Sequence, residues 1–286
     1  MRVLFVNAAG YGNIGDDTYP IIFKKYFSKQ HDLFFMNSDI EPIPENLDLI
    51  VFGGGGLIFD KPGEKHLEYM ERYLKHAVKN KIKYGFISVG IQCRKYNGSN
   101  EWDYDSYAFN WVKWFYQCAF ASFRDKGSLE YFKEKLKRKD FIEGPDLCYL
   151  FEKKIEEQKD YVLVIPGAKV NKNNPEVIAQ IENEKEVIFM NMGGRGTDGT
   201  TLEFKEIYED AKFYLSDDLF PSLAFKLISE ARRVITGRYH GLVFSRVASR
   251  DFWINSPSQY KIEVEELGRD YKEAICHILL LERFLA

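Results

Sequence analysis

The sequence predicts an α/β protein built from two doubly wound domains facing a cleft. Three observations carry that expectation. The chain has 286 residues, roughly twice the usual single-domain length. Short β-branched and aromatic runs alternate along it with amphipathic stretches, the pattern of βαβ units around parallel sheets. Between them, Glu152 to Asp160 reads EKKIEEQKD, a nearly all-charged run that suits an exposed domain boundary. An N-terminal domain over 1–155 and a shortened C-terminal domain over 156–286 are therefore expected.

In the first half, strands are expected at Val3–Asn7, Leu33–Asn37, Leu49–Phe52, Tyr84–Val89 and Ala119–Ser122, with a short one at Phe141–Ile142. Apolar residues at helical spacing between them predict helices over Thr18–Ser28, Lys65–Lys79 and Asp105–Tyr116, then over Gly127–Leu136. After the charged run a second series begins, with strands at Tyr161–Ile165, Val187–Asn191, Phe213–Leu215, Arg233–Ile235 and Phe252–Ile254. Its helices are expected at Pro175–Asn183, Phe220–Glu230, His240–Ser249 and Gly268–Leu285. The stretch from Asn191 to Phe220 reads as pared down, and no internal repeat or low-complexity tract is present.

Composition narrows the function classes. Hydrophobic residues make up 45% and charged residues 29%, which suits a packed core and not a disordered chain. Forty basic residues against 43 acidic ones give a formal charge of −3, so no chain-wide attraction to nucleic acid is expected. Aromatic residues reach 16%, and in an α/β fold most of them fill cores. Cys93, Cys118, Cys148 and Cys276 include no C-x-x-C pair, signalling neither a zinc knuckle nor a disulfide framework and fitting a reduced cytoplasmic compartment. Val3 to Val6 gives way at once to Asn7 and glycines, unlike the apolar region of a signal peptide. No stretch reaches the roughly eighteen apolar residues that span a bilayer, so membrane contact is expected to be peripheral at most.

Four places could carry chemistry. The turn Gly10-Tyr-Gly12-Asn-Ile-Gly15 satisfies the dinucleotide fingerprint after the first strand, with Asp39 at the end of the second. Asp16 and Asp17 follow it, however, and two carboxylates at a helix N-terminus repel a pyrophosphate. They suit a sugar hydroxyl or a proton acceptor, or equally a cap that complements the helix dipole. Gly53 to Gly56 end the expected third strand, where glycine-rich backbone would expose amides to a ligand or form a tight turn. Arg124 follows the expected strand Ala119–Ser122, where it could hold an anion or pair with Asp125, with Ser128 capping a helix; Asp146 sits on the same rim. Arg238 and His240, in Thr236-Gly-Arg-Tyr-His-Gly241, combine a guanidinium, an imidazole and a helix start at a strand's C-terminal end.

The order Gly12-Asn13-Ile14-Gly15-Asp16-Asp17, Gly53 to Leu57, Arg124-Asp125 with Ser128, Pro145-Asp146 and Arg238-Tyr-His240-Gly241 resembles the polysaccharide pyruvyltransferase family. Tyr260-Lys261-Ile262 with Leu267-Gly268 is similar to a tail segment of that family, at looser spacing. The motifs cover most of the chain, and Arg-x-His-Gly is the most specific of them. The resemblance implies a GT-B-like pair of Rossmann-like domains that transfers pyruvate from phosphoenolpyruvate onto a sugar, forming a ketal. It implies no cofactor and no metal, an acceptor that is a glycan or lipid-linked sugar, and a role in exopolysaccharide or cell-envelope synthesis at or near the inner face of the membrane. The acceptor side would be the N-terminal domain and the donor side the C-terminal one.

On this reading His240 is the general acid and Asp16 or Asp17 the base. Arg124 and Arg238 hold the donor, and Asn13, Gly54, Gly55, Gly241 and Lys261 complete the substrate contacts. Guanidinium groups suit a substrate bearing both phosphate and carboxylate, because each grips through paired hydrogen bonds. Three rivals remain: a nucleotide-sugar glycosyltransferase of the same fold, a nicotinamide-dependent oxidoreductase, and a glycan-binding protein without chemistry. Oligomeric state is left open, a homo-oligomer included.

Overall fold

The computed structural model describes residues 1–36, 42–60, 66–93, 95, 101–151, 155–255 and 271–285. These group into two compact units. The first holds Met1–Ala9, Tyr19–Leu150 and, of the segment Ser258–Ala286, the described residues 271–285; the second holds Gly10–Thr18 and Phe151–Pro257.

Strands β1 (Arg2–Val6), β2 (Asp32–Met36), β3 (Leu49–Ile58), β4 (Lys83–Ile91), β5 (Phe120–Phe123) and β6 (Ile142–Glu143) form the sheet of the first unit. Its order is β2-β1-β3-β4-β5-β6 and every pairing is parallel. The central strands are buried along nearly all of their length, as in a parallel sheet with both faces covered. The unit's helices are α1 (Ile14–Phe27) from Tyr19 onward, α2 (His66–Asn80), α3 (Asp105–Ala108), α4 (Val112–Gln117) and α5 (Lys126–Leu136). Helix α2 buries Leu67, Met70, Tyr73, Leu74 and Ala77, one face at helical spacing. Helix α5 starts where Asp125 accepts from the Ser128 amide at 2.7 Å, an N-cap. Aromatic rings fill this core as composition predicts: Phe115 stacks on Phe86 and on Phe132, each at 4.0 Å.

The second unit pairs β7 (Val162–Ile165), β8 (Val187–Met190), β9 (Lys212–Tyr214), β10 (Arg233–Thr236) and β11 (Asp251–Ile254) in the order β11-β10-β7-β8-β9, again all parallel. Its helices are α6 (Pro175–Ile181), α7 (Asp198–Leu202), α8 (Pro221–Glu230) and α9 (Tyr239–Val247). Helices α6 and α8 each begin with a proline in the first turn, where no amide is needed. Last comes α10 (Ile275–Leu285), which is grouped with the first unit. No described helix is long and apolar enough to cross a membrane.

Several sequence expectations are corrected. The third strand does not end at Phe52: β3 continues through Gly53–Gly56 to Ile58, paired with β4 at Gly53↔Ile87 and Gly55↔Val89. Helix α1 begins at Ile14, four residues before Thr18, because the amide of Asp17 already donates to the Asn13 carbonyl at 2.9 Å. The helix expected over Asp105–Tyr116 is broken by a 3-10 turn at Phe109–Trp111. The pared-down stretch after Asn191 holds a 3-10 turn at Arg195–Thr197, α7, and a further turn at Glu203–Glu206. Finally, a C-terminal domain over 156–286 differs from the observed grouping at both of its expected limits. Helix α10 packs in the first unit, and the Gly10–Thr18 segment is counted with the second.

Candidate functional site

Because all five strands of the second unit run in one direction, their C-terminal ends share one edge, where open α/β sheets bind ligands. Four loops meet there. Gly167 after β7 and Gly237 after β10 approach backbone to backbone, since a Cβ on Gly167 would lie 2.5 Å from the Gly237 carbonyl oxygen. Next to them Thr236 ties the following turn to itself: its hydroxyl accepts from the Arg238 amide and donates to the Arg238 carbonyl, both at 3.0 Å. Gly241 leaves room for that hydroxyl, which a Cβ would meet at 2.3 Å.

Arg238 is partly buried on this edge. Its Nε donates to the Pro166 carbonyl at 3.0 Å, and its guanidinium lies against Gly193, where a Cβ would be 2.5 Å from Cζ. Burial lowers its pKa below the ordinary arginine value, although the group stays protonated. Among the described residues no carboxylate pairs with it. A desolvated cation without a counter-charge is what an anion site needs.

The Gly193 loop is held by Asn191, a buried residue after β8 that sequence reasoning did not select. Its side-chain amide donates to the Gly194 carbonyl, the Ser216 hydroxyl and Asp198 at 2.9, 2.9 and 2.6 Å. Its carbonyl oxygen accepts from the Gly193 amide at 2.8 Å and the Thr197 hydroxyl at 2.9 Å. The only sequence signal was an asparagine followed by Met-Gly-Gly at a strand end.

The glycine turn Gly10–Gly15 rests on the same loops. The amide of Arg195 donates to the Tyr11 carbonyl at 3.3 Å, and a Cβ on Gly12, at φ +74, would meet the Ser216 Cβ at 3.1 Å. Gly15 carries the ring of His240: a Cβ there would stand 1.7 Å from Nδ1. The imidazole also meets the Tyr239 ring edge-on, centroids 5.1 Å apart. Thus His240, Arg238, Asn13, Asp16 and Asp17 all belong to one unit. Asp17 accepts from the Gly10 amide at 2.5 Å, fastening the turn, and burial raises its pKa above the usual carboxylate value.

The other selected residues form a second polar group, inside the first unit. Arg124 is 2% exposed and bonds Asp146, not the expected Asp125, with Nη1 to Oδ2 at 2.9 Å. Asp125 is instead the cap of α5, also accepting from the Ser128 hydroxyl at 2.8 Å. Asp146 is fully buried, not on a rim; it further accepts from Tyr19 at 3.0 Å and from the Cys148 amide at 2.9 Å. The Tyr19 ring packs over Gly54, where a Cβ would fall 2.3 Å from it, and both Gly54 and Gly55 sit at φ +81. These glycines therefore serve a close approach within a buried strand and not an exposed loop. Lys261 and Asp39 lie outside the described residues. Burial pushes the Cys93 and Cys118 thiols up to about 12 and Cys276 to about 11, so none of the three is a ready thiolate.

The polysaccharide pyruvyl transferase profile matches residues 9–249. The chain belongs to that family. Solved structures share its fold at low sequence identity. A functionally uncharacterised Klebsiella pneumoniae protein is 14% identical, with TM-score 0.57, 95% of this chain and 90% of that chain covered. UDP-GlcNAc 2-epimerase from Methanocaldococcus jannaschii is 12% identical, with TM-score 0.54 and coverage of 97% and 92%. The Neisseria meningitidis UDP-GlcNAc 2-epimerase bound to UDP-GlcNAc is 8% identical, with TM-score 0.57 and coverage of 99% and 92%. No curated protein matches the sequence significantly. The fold is thus a GT-B-like pair of Rossmann-like units, each with its own parallel sheet.

Proposed function

We propose that this transferase moves the three-carbon unit of phosphoenolpyruvate onto two hydroxyls of a sugar, forming a pyruvate ketal on a cell-surface polysaccharide or its lipid-linked precursor. Family membership supports the class of reaction. The observation that carries the donor is Arg238, a partly buried guanidinium with no counter-charge among the described residues, set on a strand edge beside a helix start. Arg124 has less to offer a donor, because Asp146 already neutralises it.

In this mechanism His240 protonates the methylene carbon of the donor, which makes the neighbouring carbon electrophilic. Imidazole suits that task because it titrates near neutrality. One sugar hydroxyl adds to that carbon as a carboxylate, Asp16 or Asp17, takes its proton. The second hydroxyl then gives its proton to the now neutral His240 as it takes the place of the departing inorganic phosphate, which closes the ketal and restores the imidazolium. No cofactor or metal enters these steps.

The test is incubation with phosphoenolpyruvate and a panel of glycosides, following phosphate release, together with thermal melting under each donor. Phosphoenolpyruvate should raise the melting temperature, since a ligand bound only by the native state stabilises it. Arg238→Lys should weaken that binding about tenfold or more by losing a paired hydrogen bond. Stabilisation by UDP-sugars with none by phosphoenolpyruvate would overturn the donor assignment, and equal affinity of the lysine variant would overturn the role of Arg238.

A further inference from the structure

Two shallow grooves of the first unit adjoin at Gln117, near the starts of β4 at Lys83 and β5 at Phe120; the first runs from there along α4 to Phe109, whose neighbours Asn110 and Trp111 bond Asp60 and the Phe59 carbonyl just past the end of β3. One, of about 400 Å³, runs between Phe109, Tyr116 and Leu136; the other, of about 240 Å³, runs past Val78, Lys81 and Lys83. Neither is lined by an aspartate or glutamate. Three bulky apolar side chains protrude here: Tyr116 is 69% exposed, Phe109 64% and Val78 47%. Arg138 donates to the carbonyls of Tyr116 and Cys118, so the basic run Lys137-Arg138-Lys139 sits on the rim of the first groove. Arg138 itself is balanced by Asp140, and Lys113 by Glu71. Lys79, Lys81, Lys83, Lys137 and Lys139 are exposed and, among the described residues, form no ion pair. In a chain of net charge −3, this face collects unbalanced positive charge around exposed aromatic rings.

We propose that this face docks on an anionic lipid surface. The lysines attract anionic headgroups, while Phe109, Tyr116 and Val78 enter the boundary between headgroups and acyl chains. A nucleic acid would use the charge but leave Val78 and the apolar groove unsatisfied. The proposal is independent of the reaction assigned above.

The experiment is flotation of the full chain with vesicles of phosphatidylcholine alone and of phosphatidylcholine mixed with phosphatidylglycerol. The protein should float with the mixed vesicles at low salt and be released at high salt, as screening requires. Phe109→Ser with Tyr116→Ser, and separately Lys137→Glu with Lys139→Glu, should each weaken binding about tenfold or more. All four side chains are solvent-facing, so unchanged melting temperatures will show that the variants remain folded. Equal flotation on both vesicle types, no flotation, or variants that bind like the parent chain would each overturn the proposal. So would retention of a DNA or RNA fragment with no vesicle binding at the same salt.

Discussion

Asp17 shows how one side chain can be asked to do two things, and how to tell them apart. Its carboxylate fastens the glycine turn through the Gly10 amide, yet burial raises its pKa. A raised folded-state pKa means that the native state holds the proton more tightly than the unfolded chain. Its contribution to stability is therefore full below the ordinary carboxylate range and is lost as pH rises through the raised value. An asparagine keeps an acceptor for the Gly10 amide and never ionises. Asp17→Asn should then match the parent chain in melting temperature at acidic pH and equal or exceed it at neutral pH. If Asp17 is also the proton acceptor, the same variant should lose turnover at neutral pH while its melting temperature holds. A fall in melting temperature at every pH would show that the carboxylate is needed for the turn itself.

At the level of elements, the start of α1 and the turn before α9 are fitted to each other. Gly15 has ordinary helical space on its own backbone, so Gly15→Ala carries no backbone strain and gains on the order of 1 kcal/mol in helix propensity at most. Its Cβ would nevertheless overlap the His240 ring, 1.7 Å from Nδ1. The imidazole must leave its place. The expected outcome is a folded protein whose turnover drops by about a hundredfold, as loss of a general acid would cause; turnover within a few-fold of the parent would separate His240 from the chemistry. Elements were also the most legible level of the sequence. The eleven strand positions follow from short apolar runs, and the Arg238 and His240 turn from its place after one of them. What could not be read was contact at a distance. Four glycines in a row look alike whether they form a loop or let Tyr19 and Phe23 press on a strand, and only the partner rings decide. Asn191 escaped for the same reason: five of its bonds go to residues of its own and a neighbouring loop that no spacing rule joins. Arg124 was placed correctly after β5, but its partner Asp146 lies twenty-two residues on and is invisible to local pattern.

For the molecule as a whole, composition announced one boundary, the charged run near Glu152, and was silent about the grouping of the C-terminal helix. The reason is that α10 is apolar enough to belong to either core; its place is settled by His277, fully buried in the first unit. Because a carbonyl only accepts, Nε2 donates to Pro145 at 2.8 Å, which leaves Nδ1 to accept from the Ser122 hydroxyl, also at 2.8 Å. Ser122 in turn accepts from the Ser88 amide at 3.0 Å, and the Ser88 hydroxyl from the Leu147 amide at 3.1 Å. The chain of bonds ties α10 to β4, β5 and the turn that carries Asp146. Phe284 adds a ring contact on Phe120, centroids 4.4 Å apart. His277→Ala removes two bonds, strands a buried hydroxyl and a carbonyl, and leaves a cavity, a cost of about 2–4 kcal/mol. Were residues 156–286 one folding unit, that damage would spread through β7 to β11. The observed grouping predicts the reverse: hydrogen exchange should quicken at the amides of β4, β5 and the Pro145 to Leu150 turn, while β7, β8 and β10 keep their protection. Faster exchange in β7 and β10 with β4 unchanged would refute the assignment of α10 to the first unit.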